Sequence, residues 1–241
     1  MDPELRVDLH FHPDRALAAL VRDGVYRSQF ETGTSNGGVT AHPGGDRWRW
    51  ESRLFGGAYD EAPAAERPKY GALNHRCRPA GGAPRFGSAH FRLGADTLAR
   101  TTFCYPDSVF EPVDFGVADR MSLIDQAEAD DRDVLDDYVE AHVHGPVRLG
   151  QDVEALVLDP CFRGTEVEEL AGRLPCEVEW HHGFRLPVEE LRADYRGPEV
   201  VEWGRRLAVD GFLDARIIGE ARGGHDPQLL KKLWHHVARF G

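Results

Sequence analysis

The run Tyr138-Val139-Glu140-Ala141-His142-Val143-His144-Gly145 alternates small apolar residues with large polar ones. Successive side chains of a β-strand point to opposite faces. Read as a strand, it places Tyr138, Glu140, His142 and His144 on one face and Val139, Ala141 and Val143 on the other. The apolar face is ready to be buried. A glutamate is almost never fully buried without a partner, so the polar face either meets water or lines a cleft. The second reading makes this strand the floor of a candidate site.

Working outward, the acidic segment 122–137 is predicted to be helical and to lead into that strand. Residues 6–12 alternate well enough for a short strand. Pro13 and Asp14 then open a helix through Arg22, stopped by Gly24. Further strands are predicted at 25–30, 90–93, 101–105 and 176–180. Helices are predicted at 46–55, 152–158, 165–173, 188–195, 198–209 and 227–240. The last is marked by an Asp226 cap, Pro227 in its first turn and an apolar stripe running from Leu229 to Val237. Residues 57–90 are rich in Gly, Pro and Arg and read as loops with short strands. The expected architecture is α+β, one domain over residues 1–241. Its β-rich part, 1–145, carries the site, and its α-rich part, 146–241, packs on it.

Composition sets bounds. The 241 residues are 41% hydrophobic, enough for a substantial core, and carry 29 basic against 41 acidic residues for a formal charge of -12. Such a balance argues against nucleic-acid binding through a basic surface. Nucleic acid stays open only as an acceptor. Cys77, Cys104, Cys161 and Cys176 show no C-x-x-C spacing and no signal-peptide pattern precedes them, so they read as reduced thiols. No apolar run approaches the roughly 20 residues that span a bilayer. The expected location is cytoplasmic, with the oligomeric state left open.

Three other constellations carry chemistry. Arg27 and Ser28 fall in the predicted strand 25–30, ahead of a Gly- and hydroxyl-rich loop that contains Thr34 and Ser35. Backbone N–H groups of such a loop suit phosphate, and a planar guanidinium suits a diphosphate. The same residues equally suit a hairpin with Arg27 in a surface ion pair. Since G-x-x-x-x-G-K-[ST] is absent, this is no P-loop. Tyr70 precedes Gly71, which lets a flat ring stack close to the backbone, although core packing is the plainer reading. Finally, Asp8-Leu9-His10-Phe11-His12 aligns Asp8, His10 and His12, and with His142 and His144 it offers four imidazoles to a metal. The plainer reading has His12 opening the following helix and His10 packing. The adjacent pairs His181/His182 and His235/His236 read as structural.

The run YRSQFETGTSNGGVTAHPGG from Tyr26 to Gly45, with LFGGAY at Leu54–Tyr59, RPKYGALN at Arg67–Asn74, YVEAHVHG and DVEALVLDP, resembles a bacterial family known as a domain of unknown function. A looser similarity links the order strand-Arg, R-P-x-Y-G, F-G-S-A-H-F-R-L, R-T-T-F, D-S and Y-x-E-A-x-x-x-G to the ADP-ribosyltransferase-like domains of bacterial and phage toxins. This resemblance implies a split β-sheet core and NAD as substrate. It implies that Arg27 holds the NAD diphosphate or the nicotinamide ribose, with Ser28, Thr34 and Ser35 beside it. Tyr70 would stack on nicotinamide, Ser88 would be the middle-strand hydroxyl, and Glu140 the catalytic acid. Two residues before Glu140 stands Tyr138, not the Glu or Gln of arginine- or asparagine-modifying members. A non-arginine or small-molecule acceptor is therefore left open.

The implied chemistry suits these side chains. Cleaving the nicotinamide–ribose bond develops positive charge on the sugar, as in glycoside cleavage, and a strand-borne carboxylate can stabilise it. His142 or His144 would take the acceptor's proton near neutrality. Two other classes compete. One is a metal-dependent hydrolase using His10, His12, His142 and His144. The other is a non-catalytic binding module on the same fold.

Overall fold

A computed structural model describes residues 4–33 and 40–241. In chain order the strands are β1 (Val7–Phe11), β2 (Val25–Tyr26), β3 (Lys69–Leu73), β4 (Ala89–Leu93), β5 (Thr101–Cys104), β6 (Phe115–Val117), β7 (Val139–Val143), β8 (Val147–Arg148), β9 (Val153–Leu158), β10 (Glu177–Trp180), β11 (Arg185–Pro187) and β12 (Phe212–Asp214). The helices are α1 (Pro13–Asp23), α2 (Gln29–Thr32), α3 (Asp46–Leu54), α4 (Leu123–Ala129), α5 (Glu166–Ala171), α6 (Glu199–Leu207), α7 (Ala215–Glu220) and α8 (Pro227–Phe240). Eight strands form one sheet in the order β10-β9-β4-β1-β3-β7-β5-β6, and two small hairpin-like pairs, β2 with β8 and β11 with β12, lie apart from it. Among the described residues, only the β9–β10 contact in the main sheet is parallel. The fold is α+β.

Period-two alternation decides what each face of the sheet carries. Leu9, Phe91, Leu73, Ala141, Phe103 and their same-face neighbours are buried in the main core. The opposite face carries a polar set fixed by register. Tyr70 lies opposite His142, and Ala72 opposite Glu140, across β3 and β7. Across β5 and β7, Thr102 faces His142 and Cys104 faces Glu140. On β1 and β4, His10 faces His90.

The sheet is split where β1 meets β3. These strands pair only at Val7–Leu73 and Asp8–Ala72. β1 remains paired to β4 as far as Phe11, and β3 to β7 as far as Lys69. The two strands therefore diverge beyond Asp8. A loop is fixed beside the divergence. Gly82 N donates to Asp8 Oδ2 at 3.0 Å, and Ala83 N donates to His10 Nε2 at 3.1 Å. Ala83 and Phe86 then pack with Ala72 and Tyr138.

Several elements differ from the sequence expectation. Residues 152–158 form strand β9, not a helix. A short apolar run such as Ala155-Leu156-Val157-Leu158 does not distinguish the two by periodicity, and pairing with β4 and β10 decides it. Thus the nominally α-rich half contributes two strands to the main sheet. Residues 188–195 contain only a 3-10 turn, Val188–Glu190. The strand expected at 25–30 ends at Tyr26, because Ser28 caps α2 through a reciprocal bond pair with Glu31. The acidic helix before β7 is shorter than expected and stops at Ala129.

Candidate active site

The gap between the diverging halves of the sheet opens into a cleft of about 500 Å³. Its wall includes Phe11 and His12 at the end of β1, Tyr70 and Gly71 on β3, and Tyr138 and Glu140 at the start of β7. Gly71 is required by the close approach at the fork. A Cβ there would sit 2.6 Å from Asp8 O and 2.7 Å from Leu9 Cδ2.

Glu140 is buried at the cleft wall, and its carboxylate accepts from two sides. Ser108 N donates to Oε2 at 3.4 Å, and His142 Nε2 lies 2.9 Å from Oε1. Burial alone would raise the Glu140 carboxyl. The hydrogen bond and charge of His142, joined by Ser108 and Asp107, outweigh it and hold the group below its ordinary value. Asp107 also lines the cleft, at the N-cap of the 3-10 turn Ser108–Phe110. Its Oδ1 accepts from Val109 N at 2.9 Å and its Oδ2 from the Tyr138 hydroxyl. Burial first, and then the charge of Glu140, push the Asp107 carboxyl up to about 6. Two neighbouring carboxyls are thus driven apart, which is how one site obtains an ionised and a protonated group at the same pH.

Behind Glu140 a hydrogen-bonded chain runs through the polar face. If His142 Nε2–H donates to Glu140, its Nδ1 accepts from the Thr102 hydroxyl at 3.2 Å. Thr102 Oγ1 then accepts from His144 Nε2 at 2.9 Å, and His144 Nδ1 accepts from the Tyr59 hydroxyl at 2.5 Å. One proton per link satisfies every member. Burial pushes His144 down to about 4, so it stands as a neutral imidazole in the chain. His142 and His144 do not line the cleft. The expectation that one of them meets the acceptor directly is not matched by their position, which is behind the glutamate.

Tyr70 stands beside this row, with its ring edge-on to His142 at 5.5 Å. The Arg47 guanidinium lies over Tyr70 at 4.7 Å and over Trp50 at 4.6 Å, and all three line the cleft. Arg27 lines it as well, paired with Asp23 at 3.2 Å. The surface ion pair of one reading is thus present, at a cleft wall, and Arg27 follows β2 and is not within it.

The other expected residues lie elsewhere. The Ser28 hydroxyl donates to Ala64 O at 2.6 Å and caps α2, away from the cleft lining. Ser88 is buried outside that lining, its carbonyl bonded to His181 Nε2 at 2.8 Å. Thr34 and Ser35 lie outside the described residues. The two H-x-H pairs do not converge. His10 holds the 82–83 loop, and the His12 ring packs against Trp234 at 5.5 Å. Among the described residues, the only group of three or more whose potential metal-binding atoms all lie within 4.8 Å of one another is Cys104, Glu140 and His142, a set that excludes His10, His12 and His144. Sequence reading missed Asp107, Arg47, Trp50 and Lys231. The D-R-W-R-W-E pattern of α3, with arginines alternating with tryptophans on a short helix, was the available signal for two of them.

The family model described as "Protein of unknown function (DUF3626)" matches residues 6–127 and 117–238, and the chain belongs to that family. No curated protein matches it in sequence. Among solved structures, DarT from Thermus sp. 2.9 in complex with NAD+ is similar at 12% identity and a TM-score of 0.46, covering 75% of this chain and 96% of that one. DarT from the same source in complex with ADP-ribosylated ssDNA gives the same identity and score, covering 75% and 95%. No helix among the described residues is long and apolar enough to cross a membrane.

Proposed function

For this member of the DUF3626 family, we propose transfer of ADP-ribose from NAD to an acceptor, or to water, at the cleft between β1 and β3. The observation that carries the reading is a buried Glu140 held ionised at the wall of a cleft that also presents Tyr70 and Arg27. In the proposed step the nicotinamide N-glycosidic bond breaks, and its electron pair leaves on nicotinamide. Positive charge grows on the ribose, and Glu140 stabilises it through space and through a ribose hydroxyl. The acceptor oxygen or nitrogen then bonds to the anomeric carbon and gives up its proton to solvent water. Tyr70 offers the departing ring a face, and Arg27 offers the nicotinamide ribose a guanidinium.

His142 is a positioning residue in this scheme. It fixes the Glu140 carboxylate and is itself fixed by Thr102, so the carboxylate meets the sugar in one orientation.

The test is nicotinamide release from NAD by the purified protein. Glu140→Gln is expected to lower the rate at least about 100-fold, the scale on which electrostatic stabilisers act, with the melting temperature little changed. An unchanged rate would remove Glu140 from the chemistry. A matching loss of melting temperature would make it a structural residue.

A further inference from the structure

One end of the cleft presents Lys231 and Arg85, with Arg196 and His235 behind them outside the lining, and this cluster has too few partners. Lys231, on α8, lines the cleft and has no hydrogen-bond or ion-pair partner among the described residues. Arg85, in the 3-10 turn Pro84–Phe86, lines it too. α8 is fastened to that turn by Trp234 Nε1, which donates to Pro84 O at 2.9 Å, and Trp234 is one turn on from Lys231. Arg85 and Arg196 share a single carboxylate, Asp136, on its two oxygens. The Nε atoms of both arginines are buried without a partner. His235, one turn along α8 from Lys231, is 4% exposed, and neither ring nitrogen has a partner. Burial first, and then the repelling charges of Arg85 and Arg196, lower the Lys231 ammonium, with Asp107 the acid that opposes them. Burial first, and then the charges of Arg85, Arg196 and Lys231, push His235 down to about 3, so it stands behind these cations as a neutral imidazole.

Like charges and orphaned donors at one place raise the energy of the ligand-free protein, and an anion relieves both. We propose that Lys231 and Arg85, backed by Arg196 and His235, form an anion subsite that holds the diphosphate of a nucleotide in the cleft. The assignment rests on the cleft being the nucleotide site. It gives the C-terminal helical part a function, since α8 adds Lys231 to the cleft cations that the β-rich half supplies. A phosphoryl group is favoured over a carboxylate because it offers more acceptor oxygens to a point-like ammonium and a forked guanidinium together.

Binding of ADP, adenosine and adenosine 2′-monophosphate, measured by calorimetry on the full chain, tests this. ADP is expected to bind more tightly than adenosine. Lys231→Met should weaken ADP about tenfold or more, the loss of one charge-assisted contact, and leave adenosine unchanged. Lys231→Arg should restore part of the affinity. Lys232→Met should bind ADP like wild type, because Lys232 is turned to solvent and paired with Glu199 at 2.6 Å. Equal ADP affinity in Lys231→Met and wild type, at equal melting temperature, would overturn the subsite. So would ADP binding no better than adenosine. A loss confined to the 2′-monophosphate would overturn the diphosphate assignment. If ADP binds as expected but NAD is not cleaved, the transfer reading fails and the subsite stands.

Discussion

A carboxylate facing an imidazole N–H and a backbone N–H keeps its charge, whereas one facing another carboxylate tends to surrender it. Glu140 and Asp107 occupy these two situations within one cleft wall. The consequence for stability has a definite sign. The Asp107 carboxyl rises from 3.8 to about 6 on folding, so the folded chain holds the extra proton. Its contribution to stability is complete below about 3.8 and is lost as pH rises through about 6. Asp107→Asn cannot ionise and keeps an oxygen for Val109 N. Its melting temperature is expected to fall less than that of wild type between about pH 4 and about pH 7. Parallel melting curves across that range would show that Asp107 does not take up this proton. At this scale the sequence was half legible. Glu140 announces itself by alternation with its neighbours, while Asp107 joins it only because a loop 33 residues upstream folds against β7.

The element that matters most is the fork between β1 and β3. Alternation identified β1, β7 and most of the polar row, and cap and stripe signals placed α8 at its observed bounds. Pairing partners were not legible, because register depends on which strands meet. The same blindness turned β9 into an expected helix and carried Arg27 into a strand that ends before it. Gly71 gives the fork a direct test. Gly71→Ala would press a methyl group against Asp8 O and Leu9 Cδ2. Overpacking of this kind costs about 1–3 kcal/mol, to be measured by denaturant unfolding. A cost near zero would mean that the strands separate freely at this point, and that the fork is not set by their close approach.

Across the whole molecule, two halves of one chain meet at one cleft. The β-rich half supplies the glutamate, its hydrogen-bonded support and the Tyr70–Arg47–Trp50 stack. The later half adds β9 and β10 to the sheet and brings Lys231 and His235 up on α8. The net charge of -12 gave no hint of this local basic end, since a sum over the chain hides how cations cluster. The acidic total and the cationic cleft are compatible, because the field inside a cleft depends on the groups lining it. The central claim is that NAD lies in this cleft with its reacting bond beside Glu140. A crystal structure of the Glu140→Gln protein soaked with NAD tests it most directly. The account predicts the nicotinamide ribose within hydrogen-bond reach of residue 140, the ring against Tyr70, and the diphosphate between Lys231 and Arg85. NAD bound elsewhere, or a cleft that stays empty at saturating NAD, would contradict it.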